Sequence, residues 1–302
     1  MEILVIEQRI TFDTSGLDAT IQYLGDKTSA NLDRLVTNPG NVFAYNHYRW
    51  SNMDTRTNAE DFWRTEIGKI SDVKAVIQDA SNVRDYLLSQ NQSIWLPEVL
   101  DYLPKGHKFS TRVYMNLGYD NIAHGRDVAL NLNHSRFQMD HREAVYYLMH
   151  ELSHAGYLKY HSLMSLAAPK TWRELACNVI FLTHLEGMGV LTPLRLRIKE
   201  GGLADPDYVA LRDPTERGKR VRAYFEKLEG LEDEPDRIVE KSDLDAYDQF
   251  SEKPLRLWYV AGCHMAQMIE HELGLEVLRE LVRKGSEAFF ETYRHMTSQP
   301  TD

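Results

Sequence analysis

Cysteine is nearly absent: Cys177 and Cys263 are the only two in 302 residues, and a fold stapled by disulfides uses larger even numbers. Both read as small buried apolar residues. Nor is there an uninterrupted run of about 18 apolar residues, the length that a membrane-spanning helix requires. Met1 to Ile10 alternates acidic and apolar residues, where a secretory leader would place a basic segment and then an apolar one. The expectation is a cytoplasmic protein with no membrane association. Positive charge is in deficit, since 45 Asp and Glu against 35 Lys and Arg give a formal net charge of −10. A surface of that sign repels a phosphate backbone, and no basic run interleaved with aromatics offsets it, so nucleic acid is not an expected partner. Composition carries no information on the oligomeric state.

What is present is an ordinary globular composition, 43% hydrophobic and 26% charged, enough to bury a substantial core. Leu4, Ile6, Ile10 and Phe12 suggest an opening strand. Leu17, Ile21 and Leu24 then recur at helical spacing, and Asn38-Pro39-Gly40 breaks the pattern. Helical periodicity resumes through Ala59 to Ile70, Val73 to Leu88 and Ile94 to Leu103. Between Thr111 and Asn133 the period falls to two, with Val113, Met115 and Leu117 matched by Val128, Leu130 and Leu132 around Gly118 and Gly125, which predicts a hairpin. Two strong helices follow, from Asp140 to about Lys159 and from Thr171 to about Leu191. Glu229 to Gln249 is polar and aperiodic, an expected exposed loop.

The helices between Pro254 and His295 are apolar on one face and need earlier elements to cover it. Residues 1–302 are therefore expected to form one domain, with a helical part to about 110, a core over about 111–200 and a second helical part beyond. The expected class is α+β, mainly helical, with a small antiparallel hairpin packed against the first of the two strong helices.

That helix carries the chemistry. His150-Glu151-Leu152-Ser153-His154 fits H-E-x-x-H, and a step of four residues sets both imidazoles on one helix face about a turn apart, where they can share a cation with Glu151 beside them. Asp140 and Glu143 form an Asp-x-x-Glu start signal, and Ala144, Val145, Leu148, Met149 and Leu152 supply an apolar stripe, so the helix is supported independently of the motif. Chance gives such a match in a chain of this length on the order of one per cent of the time. A catalytic zinc keeps three protein ligands and an open place for water, so one more donor is required. Glu174 and Glu186 are the candidates. Glu174 follows Thr171 by three residues and has a complete capping task. Glu186 stands late in the same helix beside Gly187 and Gly189, which permit close approach of a backbone or ligand. The 31 residues between His154 and Glu186 suffice for a turn and an antiparallel return, which favours Glu186 without closing the choice. His271-Glu272 resembles a second motif start, but Leu275 takes the place of the second histidine and Gly274 reads as a helix stop. His124, His134, His141 and His161 have no ligand spacing. Ala129, Asn131 and Asn133 alternate with the apolar set and offer a strand along which an extended peptide can pair.

His150-Glu151-Leu152-Ser153-His154 with Glu186-Gly187-Met188-Gly189 resembles the gluzincin-type zinc metallopeptidases, especially uncharacterised zinc-dependent peptidases in which a Glu-Gly-x-Ala helix follows. The resemblance covers Asp140 to Leu191, with Gly189 where alanine is usual, and looks extended by Trp258 to Ala266, similar to a Tyr-x-x-Gly-x-x-Met-Ala helix. It implies a zincin-like fold, Zn2+ held by His150, His154 and Glu186, and Glu151 as the general base in hydrolysis of a peptide or protein substrate. It also implies a neutral group near the oxyanion, for which Tyr259 and His264 are the candidates. Hydrolysis of another amide or ester, and a non-catalytic peptide-binding module, are the alternative expectations.

Overall fold

Short polar side chains start most of the helices, and glycines stop several of them. The computed structural model describes residues 8–51, 56–163, 168–251 and 254–298; Leu4 and Ile6 of the expected opening strand lie outside them. In chain order the elements are β1 (Arg9–Asp13), α1 (Ser15–Gly25), α2 (Ser29–Thr37), α3 (Pro39–Ser51), α4 (Ala59–Gly68), α5 (Val73–Ser89) and α6 (Gln92–Asp101). Then come β2 (Ser110–Asn116), β3 (Ile122–His124), β4 (Asp127–Asn131), α7 (Ser135–Met139) and α8 (Arg142–Leu158). The rest is helical: α9 (Trp172–Leu191), α10 (Leu194–Glu200), α11 (Pro206–Arg212), α12 (Pro214–Glu232), α13 (Asp245–Ser251), α14 (Leu257–Leu273), α15 (Leu275–Lys284) and α16 (Ser286–Ser298).

Thr28, Asn58, Asp72 and Thr171 each accept an amide of the first turn that follows, relieving donors the helix leaves unpaired. α11 and α12 begin alike, with Asp205 or Asp213 as cap and proline at the first helical position, where its missing N–H is not needed. Pro39 does the same for α3, so the predicted break at 38–40 separates two helices. The exposed loop predicted over 229–249 is shorter than expected. α12 runs to Glu232, and a short 3-10 turn (Lys241–Leu244) leads into α13, because Leu228 and Leu231 are buried and hold the last turn of α12.

The chain forms two compact units, Met1–Gln92 with Lys108–Ala155, and Ser93–His107 with Gly156–Asp302. The first contains the sheet, in the order β1-β2-β4-β3. β1 runs parallel to β2, from Arg9 opposite Ser110 to Asp13 opposite Tyr114. β2 runs parallel to β4, from Val113 opposite Val128 to Asn116 opposite Asn131, and only β3 is antiparallel, with Ile122 opposite Ala129 and His124 opposite Asp127. The α+β, mainly helical class holds, but the sheet is mixed and the predicted hairpin of two long strands is wrong. Gly118 at φ 114° and Tyr119 at φ 66° carry the chain past β4, so that β3 takes the far side and the tight turn at Gly125 joins β3 to β4. Val113, Met115, Val128 and Leu130 have no exposed surface, and Tyr114 and Ala129 on the opposite face are buried as well. Burial on both faces is what a parallel pair requires.

The proposed peptide track on β4 is also corrected. β4 lies between β2 and β3, and the Asn131 side chain is consumed internally. Its Oδ1 accepts the amides of Gly118 and Asn133, and its Nδ2 donates to the Tyr119 carbonyl.

Half-buried His47 and buried His107 are among the histidines that give the fold a pH dependence. His47 in the first unit sits 3.0 Å from the Tyr119 hydroxyl, and burial, then neighbouring His124, lower its pKa from 6.5 to about 4. His107 in the second unit is lowered to about 4 by burial and then by Lys159. Between those values the unfolded chain takes up protons that the folded chain refuses, so stability present above pH 6.5 is lost as pH falls toward 4. Melting temperatures over that range are expected to decline, with a shallower slope in the His47→Gln/His107→Gln variant; equal slopes would refute the assignment.

Candidate metal centre

α8 starts where its sequence says it should. The Asp140 carboxylate accepts the Arg142 amide at 3.0 Å and pairs with the same residue's guanidinium at 2.7 Å, and a negative group there suits the positive end of the helix dipole. Ala144, Val145, Leu148, Met149 and Leu152 are buried, so the predicted apolar stripe is the helix's core face. It fixes the rotation of α8 and with it the direction of the motif residues.

The donor atoms of His150, Glu151 and His154 all lie within 4.8 Å of one another. The two imidazole centroids are 4.4 Å apart with planes at 69°, and the Glu151 carboxylate is 3.4 Å from Nδ1 of His154. Glu151 and His154 are buried at 5% and 7% exposure, while His150 is half-buried. Nitrogens bound to one zinc at about 2.0–2.1 Å in tetrahedral geometry stand about 3.3 Å apart. Two imidazoles this close need only side-chain adjustment to share an ion, so the donor set fits zinc. A buried carboxylate beside them suits a base acting on a ligand of that ion.

The remaining predicted residues belong to the second unit. Thr171 caps α9 by accepting the Glu174 amide, and the Glu174 carboxylate accepts the Lys170 amide at 2.6 Å. Glu174 is exposed and occupied as the sequence suggested. Glu186 is half-buried three turns further on. Its carboxylate acts on two residues at the start of α14: with burial, it raises the Tyr259 pKa, and it helps to hold the Arg256 charge. The Tyr259 phenol thus stays protonated and able to donate. His264 stands apart from this group, since five residues along a helix turn it about 140° from Tyr259. Its ring faces Tyr293 at 6.5 Å, and burial, then Arg217, lower its pKa.

Glycine explains how α9 and α14 meet. A Cβ on Gly187 would lie 2.3 Å from the Gly262 carbonyl carbon, and one on Gly262 would lie 2.1 Å from the Thr183 oxygen. The backbones are in direct contact, which brings Glu186 to the first turn of α14. The helical stretch Trp172–Glu200, which covers α9 and α10, is long and apolar enough to span a membrane by length and composition, but 78% of its most apolar window is buried, as in a core helix. His184 is packed into that core, stacked on Phe289 at 4.1 Å and 3.2 Å from the Tyr157 hydroxyl. Burial and then His161 lower its pKa to about 3, so it remains neutral.

The other histidines take structural places. His134 accepts the Arg136 amide at the start of α7 and packs on Phe137 and Tyr147. His141 faces Tyr86, His124 faces Phe43 and Trp50, and His161 meets the Val282 carbonyl at 2.7 Å. Gly274, at φ 88°, closes α14 as expected. Cys263 is buried but Cys177 is exposed, because it lies on the outer face of α9. Arg256 and Asp207 carry no motif and were not foreseen.

A family model described as "Putative zinc dependent peptidase (DUF5700)" matches residues 11–300. No curated protein and no solved structure matches the chain.

Proposed function

The chain belongs to a family of zinc-dependent peptidases, and from that premise we propose that His150, His154 and Glu186 hold its zinc, that Glu151 is the general base, and that Tyr259 donates to the oxyanion. The reading makes the protein a gluzincin-type metallopeptidase that hydrolyses peptide bonds. Its main support is the convergence of His150, Glu151 and His154 donor atoms within 4.8 Å in a chain of that family.

Zinc supplies a Lewis acid that brings the pKa of water to about 7 and polarises the scissile carbonyl. Glu151 takes the proton of the attacking water and returns it to the leaving amine nitrogen. The Tyr259 phenol, kept protonated, donates a hydrogen bond to the negative oxygen that forms, an interaction stronger in the transition state than in the substrate.

The third ligand is tested by metal analysis. Glu186→Ala is expected to lower zinc from about one per chain to a small fraction after dialysis, because two imidazoles leave the site one donor short. Glu174→Ala is expected to keep its zinc and to lose only the helix-start interaction, about 1 kcal/mol. The reverse pattern would transfer the ligand role to Glu174.

A further inference from the structure

Arg256 precedes α14 in a left-handed backbone conformation, φ 43° and ψ 54°. Glycine or asparagine holds that conformation with less strain, and strained residues of this kind gather at functional sites. The side chain is fixed at two points. Its Nε–H donates to both Asp207 oxygens, at 2.7 and 2.8 Å, and Cζ lies 3.6 Å from the centroid of the Tyr259 ring. Asp207 is 5% exposed, whereas 24% of the Arg256 side chain reaches solvent.

Among the described residues, Nη1 and Nη2 donate to none, because the only hydrogen bonds of this side chain run from Nε. A guanidinium has five N–H donors, so four remain. They form the planar fork that receives a carboxylate through two parallel bonds. Burial opposes the charge, but the neighbouring Asp207 carboxylate outweighs it and keeps the group cationic. A side chain needed only to tie α14 to α11 through Asp207 has no use for an open fork beside Glu186.

We propose that Arg256 is a specificity-determining residue that binds a carboxylate of the peptide substrate, either an acidic side chain or the free C-terminus. The proposal rests on Glu186 being a zinc ligand, since the ion then offsets that carboxylate, while the Asp207 carboxylate is already paired with Nε. Asp207 and Tyr259 act as positioning residues, holding the fork in one plane before substrate arrives.

Three peptide hydroxamates separate the possibilities, their affinities being measured by calorimetry on zinc-loaded and zinc-free protein. One is neutral throughout, one carries a glutamate side chain with an amidated end, and one has neutral side chains and a free C-terminal carboxylate. All three should bind only the zinc-loaded protein, and one of the acidic probes should bind about 10- to 100-fold more tightly than the neutral one, the range of a charge-assisted hydrogen bond. The preferred probe identifies which carboxylate is read. The gap should collapse in Arg256→Met and be partly restored in Arg256→Lys. Asp207→Asn/Arg256→Met, which leaves no buried unpaired carboxylate, gives the same comparison if the single variant folds poorly. Equal affinity of all three probes for the wild-type protein overturns the proposal and leaves the peptidase reading intact. Binding that ignores zinc overturns both.

Discussion

Glu151→Gln is expected to keep its zinc and its fold while kcat falls by about 10²- to 10⁴-fold, the usual contribution of a positioned general base. In activation free energy that is about 3–5 kcal/mol. Glutamine preserves the shape of a side chain that is only 5% exposed and can still contact His154, but it cannot take up the proton of the attacking water. The measurement pairs metal analysis with kcat on a substrate found by peptide-library digestion. Lost zinc would recast Glu151 as a ligand. Undiminished turnover with zinc in place would remove it from the reaction.

Gly262→Ala is expected to lower stability by about 1–3 kcal/mol, the cost of overpacking a close-packed interior. Alanine is the better helix former by about 1 kcal/mol, so an open helical position would gain from the exchange. Here the added Cβ meets the Thr183 carbonyl oxygen at 2.1 Å, and a backbone atom cannot rotate away. The α9 and α14 axes must separate, and the clash outweighs the propensity. Gly218→Ala is the control, since it lies in α12 with nothing within 4 Å of its Cβ and should be neutral or stabilising. Urea unfolding of the pair reads the sign directly. Under the proposed ligand set, in which Glu186 on α9 holds zinc, Gly262→Ala should also weaken zinc retention; a variant as stable as the wild type would show that the contact yields.

The helices were legible because two signals agreed. Asp140 to Lys159 and Thr171 to Leu191 combine helical periodicity with a start signal, and their observed limits differ by a residue or two. The H-E-x-x-H face followed from α8 alone, since helical periodicity fixes which residues share a side. Sheet pairing was not legible. Alternation at Val113, Met115 and Leu117 tells which side of a strand is buried but not which strand lies next to it. The three residues of β3 are too few to show a period at all. Arg256 and Asp207 were missed for another reason. They stand 49 residues apart in sequence, and a buried ion pair leaves no repeating trace in a chain with many charges. Cys177 was misjudged because composition favours burial of cysteine, whereas its place on α9 faces outward.

The brevity of β3 bears on how copies of the protein behave when concentrated. An outermost strand exposes backbone donors and acceptors to any passing extended chain, and long flat ones seed stacking between molecules. At the flank formed by Ile122–His124, that invitation extends over three residues and then turns away at Gly125. A fourth layer of pairing has almost nothing to grip, so growth of ordered fibres from this side of the sheet is disfavoured by its architecture alone.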